Sequence, residues 1–444
     1  MTRQLTPKPV PALTTPRVAK TLRLSEDVLD NGLNVVAVRK PGVPIVEVRL
    51  RLPFLSAKPT HPAQGAVLSE AMLTGAAGFD RAGLAAALQE LGADISVSVD
   101  ADRLLLGGNA LATNLKRLLG LIASVLTEPA YDKDEVATER ARVVENLSIA
   151  RARPGIVASE ALARRMWGDE HPYARDLAEP EAVAAVTPGQ LRSLHKSFVR
   201  PGGASLVLVG DVAPTRMIDL AQDALATWTG KVPKPRVPEL RTPPGGSTLV
   251  VDRPGSVQSS VRMGRTALTR TDPGYPALQL ANLIFGGYFS SRWTENIRED
   301  KGYTYGPHSR IDHHVLGSEL NLDVEVATEV TGPALLETWY ELGKIAELPV
   351  TADEVESVRQ YAIGNLAMST STQSGLASTL AALSAFGLGL DWVQAHPARL
   401  LETTVDEVSA AAAEFLAPSQ LTSVVVGDAE SITGPLAALG PVES

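Results

Sequence analysis

The residues best suited to metal binding or acid–base catalysis in this sequence are its histidines. The seven are His61, His171, His195, His308, His313, His314 and His396. A helix binds zinc when two histidines and a glutamate share one of its faces, and none of the seven has such neighbours. His313 and His314 are adjacent in a predicted strand, so their side chains point to opposite faces. We expect all seven to be surface or hydrogen-bonded residues.

Other signatures of catalysis or ligand binding are missing. The chain has no Cys, which excludes disulfides, Cys-ligated zinc and a Cys nucleophile. No G-x-S-x-G or phosphate-loop pattern supports a serine hydrolase or a nucleotide-binding protein. Among 444 residues, 50 acidic against 41 basic side chains give a net charge of -9, which argues against nucleic-acid binding. No signal-peptide-like start and no apolar run of membrane-spanning length occur, so we expect a soluble, cytoplasmic protein.

The elements that position any functional residues belong to a sequence that repeats itself. Val207–Asp211, VLVGD, recurs as Val424–Asp428, VVVGD, after 217 residues. Asp134–Val136 matches Asp353–Val355 at an offset of 219. Matches in the same order with nearly constant offsets indicate a duplicated domain rather than a solenoid, because the period is far too long for one.

The two copies are joined by a segment of different composition. Residues 229–247 contain five prolines and three glycines, which is typical of an extended, semi-rigid linker. The sequence therefore predicts an N-terminal domain over 20–228 and a C-terminal domain over 248–436. The second would carry the same succession of elements as the first.

Within each half, strands and helices are mixed without strict alternation. Residues 34–39 and 45–52 predict a strand pair, and 95–100 with 103–111 predict a hairpin. Helices are predicted over 80–91, 113–126 and 133–151, the first capped by Asp80 and ended by Gly92. This succession favours an α+β fold: two tandem homologous domains, each a mainly antiparallel sheet with helices packed on one face.

The segment GGYFSSRWTENIREDKGYTYG at 286–306 resembles a known peptidase family. Together with the two halves that end in VLVGD and VVVGD, it looks like the pitrilysin/insulinase metallopeptidases. The most similar group is that of the mitochondrial processing peptidase and its bacterial two-domain relatives. The resemblance covers residues 25–430. It implies that two such chains, four domains in all, close like a clamshell around an unfolded peptide, so that this chain forms half of the clamshell.

The zinc motif of that family is degenerate in this sequence. The family carries H-x-x-E-H on a helix, with a further Glu downstream as the third zinc ligand. At the matching positions the glutamate is kept as Glu70, but the two histidines are replaced by Val67 and Ala71. The third-ligand position falls on Asn146, or on Glu145 after a shift of one residue, and the sequence leaves these two open. Since Val and Ala cannot bind a metal, the resemblance implies no zinc in this chain and a zinc in a partner subunit.

The substrate-binding part of the family's active site is present. In the family, an Arg and a Tyr seven residues later reach the substrate from the C-terminal domain, and Arg298 and Tyr305 match them in type, spacing and surroundings. A guanidinium and a phenol are suitable donors for the negative charge that develops on a peptide carbonyl under attack. The resemblance therefore implies that this pair is catalytic once the partner supplies the metal.

Four residues in front of this pair are candidates for substrate binding. They are Gly286, Gly287, Phe289 and Ser290. A glycine pair at this place would let the backbone approach a substrate or a partner closely, because it has no Cβ.

Two functions from different classes remain open. The first is the non-zinc-binding subunit of a heterodimeric zinc metalloendopeptidase that processes peptides, such as leader or signal-like peptides. Its partner would be a homologous chain with an intact H-x-x-E-H motif. The second is an inert structural or peptide-binding protein of the same fold, like the core subunits of respiratory complexes. The intact pair Arg298 and Tyr305 favours the first, and whether the chain is part of an enzyme depends on the partner.

Overall fold

A computed structural model describes residues 22–238 and 245–444 of the chain. In these ranges the protein forms two six-stranded sheets, each with its own set of helices. The predicted domain start at residue 20 and residues 239–244 of the predicted linker lie outside the described residues. No helix within the described ranges is long and apolar enough to cross a membrane.

In the part that the structure describes, the N-terminal half has eight strands, of which those at 34–39, 45–53, 94–99 and 103–111 lie close to the predicted positions. The strands are β1 (Arg23–Val28), β2 (Asn34–Arg39), β3 (Ile45–Pro53), β4 (Gly75–Ala76), β5 (Phe79–Asp80), β6 (Asp94–Val99), β7 (Arg103–Leu111) and β8 (Ser205–Gly210). The sheet has the order β1-β2-β8-β3-β7-β6, and β4 and β5 form a separate two-stranded sheet. All neighbours in the sheet are antiparallel except β2 and β8.

Eight helices accompany this sheet, and their ends follow the capping residues. They are α1 (His61–Ala71), α2 (Arg81–Glu90), α3 (Leu115–Thr127), α4 (Lys133–Arg151), α5 (Pro154–Trp167), α6 (Pro180–Ala184), α7 (Pro188–Phe198) and α8 (Pro214–Leu225). The carboxylate of Asp80 accepts a hydrogen bond from the Gly83 amide at the start of α2. Asp132 caps α4 in the same way, by accepting from the amides of Asp134 and Glu135. Such caps satisfy amides that the first helical turn leaves unpaired.

The C-terminal half repeats this plan. Its strands are β9 (Thr248–Asp252), β10 (Gln258–Ala267), β11 (His308–His314), β12 (Gly317–Ala327), β13 (Thr422–Gly427) and β14 (Val442–Glu443). Its helices are α9 (Tyr275–Asn282), α10 (Arg292–Thr294), α11 (Thr331–Glu347), α12 (Ala352–Ser369), α13 (Gln373–Ser384), α14 (Leu390–Glu402), α15 (Val405–Phe415) and α16 (Ala429–Ala437).

Five strands have the same order in the two sheets, as a duplication requires. The sixth differs, because β1 begins its half and is antiparallel to β2, whereas β14 ends its half and is parallel to β9. The C-terminal sheet reads β14-β9-β13-β10-β12-β11, so β13 occupies the place of β8. These two strands carry the repeated VVVGD and VLVGD sequences and are buried at the centres of their sheets. In both halves this central strand is parallel to one neighbour and antiparallel to the other. The predicted α+β class with two mainly antiparallel sheets is confirmed.

One face of each sheet packs on helices of its own half. In β3 the alternate residues Val46, Val48, Leu50 and Leu52 are fully buried in a core that α1, α3 and α8 complete. The equivalent core of the other half lies between its sheet and α9, α11 and α15. Burying each such aliphatic side chain contributes about 1.5–3 kcal/mol, so each half has a sizeable core of its own.

The opposite face of each sheet is covered by a helix from the other half. Helix α13 packs on β8 and β3, where Leu380 joins Val207 and Val209 in one apolar cluster. Helix α5 packs on β13 and β10, where Leu162 joins Val424. Helices α5 and α13 occupy equivalent places in the repeat, so the two halves exchange the same element. The sequence predicted only the helices on the first face.

Candidate functional site

The segment 286–306 lies between α9 and β11 and contains two wide helical turns. Helix α9 continues into a π-helical turn over Leu283–Gly287, and α10 continues into a second over Glu295–Asp300. Such turns accommodate one extra residue in a helix and are frequent at functional sites. The sequence analysis predicted neither of these turns.

Gly286 and Gly287 are required by close packing inside the protein. A Cβ on Gly286 would lie 2.9 Å from the ring of Trp293 and 3.0 Å from the Cβ of Ser309. A Cβ on Gly287 would lie 2.8 Å from Nδ2 of Asn282. This packing accounts for the glycine pair without a ligand. An approach of this backbone to a substrate therefore stays a prediction.

Trp293 and Arg292 anchor the segment to the C-terminal core. The Trp293 ring is buried, stacks on Phe285 with centroids 5.3 Å apart, and donates a hydrogen bond to Thr338 over 3.0 Å. Arg292 donates to both carboxylate oxygens of Glu354, at 2.7 and 2.8 Å. This guanidinium lowers the pKa of Glu354 to about 2. The pair ties the segment to the first turn of α12.

Arg298 lies against the exposed ring of Phe289. The guanidinium carbon is 4.6 Å from the ring centroid, and Nε is 3.4 Å from a carboxylate oxygen of Glu299. Phe289 is 66% exposed, and Ser290 beside it is also exposed. Because both contacts of Arg298 are at the surface, they hold the guanidinium only weakly and leave donors free for another acceptor.

Tyr305 is the most exposed large side chain of this segment. It is 98% exposed, although the residue before it is fixed by a 2.7 Å hydrogen bond from the Thr304 hydroxyl to the Glu325 carbonyl. An anchored backbone with a solvent-exposed phenol suits a residue whose hydroxyl finds a hydrogen-bond acceptor only in a complex. The structure therefore leaves both Arg298 and Tyr305 accessible on the C-terminal half.

In the N-terminal half, the degenerate zinc-motif positions of α1 are split between core and surface. Val67 and Ala71 are 0% and 1% exposed and belong to the apolar core. The side chain of Glu70 is 43% exposed. Asn146 and Glu145 on α4 are both exposed. Within residues 22–238 and 245–444, no three His, Asp or Glu side chains converge as a set of metal ligands.

Glu70 is neutralised by an arginine that the sequence analysis did not identify. Arg142 of α4 pairs with Glu70 and also lies 2.5 Å from the buried carboxylate of Glu139. Arg81 reaches Glu139 over 2.6 Å and Glu135 over 2.5 Å. Arginine side chains therefore supply the positive charge beside the carboxylates of Glu70 and Glu139. The available signal was the spacing of three residues between Glu139 and Arg142 on one helix.

Six of the seven histidines make hydrogen bonds, and His308 is exposed. His195 is typical: its ring contacts the Tyr131 hydroxyl at 2.8 Å and the Leu126 carbonyl at 2.9 Å. Burial lowers the pKa of His195 to about 4. Uncharged, hydrogen-bonded rings of this kind are structural members of the fold.

Restoring the two histidines should not restore zinc binding. We expect the variant Val67→His/Ala71→His to be less stable by about 1–3 kcal/mol, because both positions lie in a packed core that must expand. We also expect it to bind no stoichiometric zinc, since Arg142 already neutralises Glu70 and Asn146 is a poor ligand. Elemental analysis after dialysis and urea unfolding would test this. The exposed change Asn146→Glu serves as a control with near-normal stability, and one zinc per chain in the double variant would contradict the prediction.

Comparisons with known proteins agree with the resemblance predicted from the sequence. Residues 185–361 match the family described as "Peptidase M16 inactive domain". An "uncharacterized zinc protease" of Streptomyces coelicolor is 23% identical over 89% of this chain and 88% of its own length. A "probable inactive metalloprotease" of Bacillus subtilis is 27% identical over 45% of this chain and 48% of its own length. The predicted resemblance to the pitrilysin/insulinase metallopeptidases is confirmed.

Solved structures share the fold. The peptidase M16 inactive domain protein from Pseudomonas fluorescens superimposes with a TM-score of 0.83 at 24% identity, over 91% of this chain and 98% of that one. A protease from Helicobacter pylori gives the same TM-score at 17% identity, over 91% of this chain and 100% of that one. At these identities the likeness concerns the fold alone.

Proposed function

We propose that this pitrilysin-type chain is the non-zinc-binding subunit of a two-chain zinc metalloendopeptidase. The proposal rests on a difference between the two halves of this chain: the zinc-ligand positions are lost in the N-terminal half, whereas the substrate-binding residues are kept in the C-terminal half. Val67 and Ala71 are committed to the core, whereas Arg298 and Tyr305 are accessible on a firmly anchored segment. A homologous partner with H-x-x-E-H would supply zinc and the general base. This chain would supply the donors for the substrate carbonyl.

The chemistry assigned to the pair follows from charge development during peptide hydrolysis. Attack on the scissile carbonyl places negative charge on its oxygen, and preorganised donors stabilise that charge most strongly where water is excluded. In the free chain the Tyr305 hydroxyl is in water and Arg298 makes only surface contacts. Closure of the partner over this face would desolvate both groups. The pair would then act only in the assembled enzyme.

An extended peptide could bind by adding a strand to a sheet edge. Strand β6 is an edge of the N-terminal sheet and packs beside α1, the helix that carries the degenerate motif. Strand addition gains main-chain hydrogen bonds with little demand on sequence. The acidic balance of the chain suits basic or unfolded substrates, such as leader or signal-like peptides.

Reconstitution with a partner tests the proposal. We expect the purified chain alone to cleave no peptide, and a co-expressed H-x-x-E-H chain from the same source to gain peptidase activity when this chain is added. Light scattering should give about twice the mass of one chain for the complex, with an interface above roughly 2,000 Å², as is usual for obligate pairs.

A catalytically dead partner provides the matched control. Replacing the glutamate of its H-x-x-E-H motif should abolish activity while leaving the complex intact. A stable complex without activity toward unfolded peptides would favour the structural or peptide-binding alternative. A stable, active monomer of this chain would contradict both.

A further inference from the structure

A cavity of about 410 Å³, lined by charged and apolar residues, lies where the two halves meet, and none of its lining residues belongs to the segment 286–306. The N-terminal half contributes β3, the β6–β7 turn and the end of α5, and the C-terminal half contributes β11, the β11–β12 turn and α13. Ligand pockets commonly have volumes of about 300–1,000 Å³ and occur preferentially at domain interfaces. The cavity is therefore large enough for a small organic ligand.

Arg51 of β3 lines this cavity as a buried and unpaired guanidinium. The residue is 6% exposed, and its Nε has no hydrogen-bond partner within the described ranges. Its neighbours Arg49 and Glu47 on the same face of the strand pair with each other at 3.0 Å. The charges of Asp102 and Asp100 act on Arg51, but neither carboxylate forms an ion pair with it in the described part of the chain. A buried charge is costly unless it is paired and hydrogen-bonded, so Arg51 is suited to bind an anionic group in this cavity.

A second guanidinium faces the same cavity without a carboxylate. Arg270 lies 5.6 Å from the ring centroid of Trp392 and 5.8 Å from that of Tyr275. Its only hydrogen bond in the described part of the chain is a long one of 3.4 Å to the Tyr275 hydroxyl. Ile311 and Phe386 form an apolar wall nearby. The cavity thus combines cationic donors with an apolar surface.

Most of the carboxylates around the cavity already have partners. Asp100 pairs with Arg103 at 2.9 Å. Asp102 accepts from the Tyr173 hydroxyl at 2.7 Å and from the Val315 amide at 2.8 Å. Asp312 pairs with Arg310, and Glu319 accepts from Trp167 and Asn321. Asp176, exposed at the rim, is the carboxylate of this lining without an ion pair among residues 22–238 and 245–444.

The balance of charge defines the kind of ligand. Three arginines and five carboxylates line the cavity, so a multiply charged anion would meet net repulsion. A single carboxylate could bind to Arg51, an ammonium group could bind to Asp176, and an apolar side chain could cover Ile311 and Phe386. We propose that the cavity between the two halves binds a small zwitterion of the apolar amino-acid type, held by Arg51 and Asp176.

Calorimetry on the full chain, without any partner subunit, tests this proposal. The probes are L-phenylalanine, 3-phenylpropionate, which lacks the ammonium group, phenethylamine, which lacks the carboxylate, and inorganic phosphate. We expect L-phenylalanine to bind more tightly than the other three. Arg51→Met should weaken its binding at least tenfold. Asp176→Asn should weaken binding of L-phenylalanine but not of 3-phenylpropionate.

The controls separate a binding role of Arg51 from a structural one. Arg117→Met, at an exposed position on α3, should leave binding and melting temperature unchanged. Arg51→Met should melt at a higher temperature than the parent chain, because it removes a buried charge that lacks a partner. A lower melting temperature with unchanged binding would overturn the proposal.

Two further outcomes would also overturn it: no binding of L-phenylalanine, or tighter binding of phosphate. Should Arg51→Met fail to fold, the Asp176→Asn comparison still decides the matter, because its position is exposed. The inference does not depend on the proposed peptidase function, since every measurement uses this chain alone. Failure of either proposal leaves the other standing.

Discussion

Replacing Tyr305 by phenylalanine is expected to lower the kcat of the assembled peptidase by about 10²–10³-fold, the usual effect of removing one oxyanion donor. The phenol is 98% exposed in the free chain, so removing its hydroxyl should cost no stability. We also expect the partner complex to survive, because only one hydroxyl of a large interface is lost. Turnover of an unfolded peptide by the reconstituted complex would give kcat and KM separately. A loss in kcat with little change in KM would show that the hydroxyl acts in the transition state.

Three further variants control for this result. Tyr340→Phe removes another exposed phenol, on α11, and should change nothing. Arg298→Ala should lower activity and also weaken substrate binding, because the guanidinium is charged in the ground state. Glu70→Gln should have almost no effect, since its carboxylate pairs with Arg142 rather than with a metal-bound water. Normal turnover in Tyr305→Phe together with inactivity in Glu70→Gln would show that the catalytic residue of this chain lies in the N-terminal half and not in the C-terminal half.

Replacing Trp293 by alanine is expected to lower the free energy of unfolding by about 3–5 kcal/mol, the range for truncating a large buried aromatic side chain. Trp293 is 1% exposed, stacks on Phe285 and donates to the Thr338 hydroxyl. Its loss would leave a cavity beneath the segment that carries Arg298 and Tyr305, and the Thr338 hydroxyl would keep only the hydrogen bond that it donates to the Ala334 carbonyl. Urea unfolding of the chain alone would measure the change.

The same variant tests how the segment is anchored. In the reconstituted complex, Trp293→Ala should reduce activity more than its remaining folded fraction explains, because Arg298 and Tyr305 lose their support. Tyr340→Ala, which truncates an exposed aromatic residue, should lower the unfolding free energy far less. A loss below about 1 kcal/mol for Trp293→Ala, no more than an ordinary surface substitution, would show that this ring does not anchor the segment.

The features predictable from the sequence are those governed by local chemistry. Helix α4 was predicted over 133–151, and the structure has Lys133–Arg151. The cap at Asp80 and the left-handed Gly92, with φ of +55°, were also visible as residue types. The duplication could be found because short matching sequences, such as VLVGD and VVVGD, remain in equivalent strands. These signals need no knowledge of which elements meet in space.

What the sequence did not predict depends on contacts between distant residues. The π-helical turns before and after Trp293 could not be predicted from the helix propensity of their residues. The pairing of Arg142 with Glu70 joins residues 72 positions apart. Likewise, the loss of the zinc ligands was evident at Val67 and Ala71, but the arginines that neutralise the remaining carboxylates were not. The exchange of α5 and α13 between the halves had no local signature at all.

That exchange has the form of a domain-swapped dimer built from two copies of a single half. Helix α5 of the N-terminal half packs on the sheet of the C-terminal half, and the equivalent helix α13 of the C-terminal half packs on the sheet of the N-terminal half. A lone ancestral half would have exposed the valines now covered, so it could have hidden them only by dimerising. Fusion of two genes would have made that association intramolecular and independent of protein concentration. Once the two halves were encoded in one chain, they no longer had to keep identical sequences, and each could change residues independently of the other.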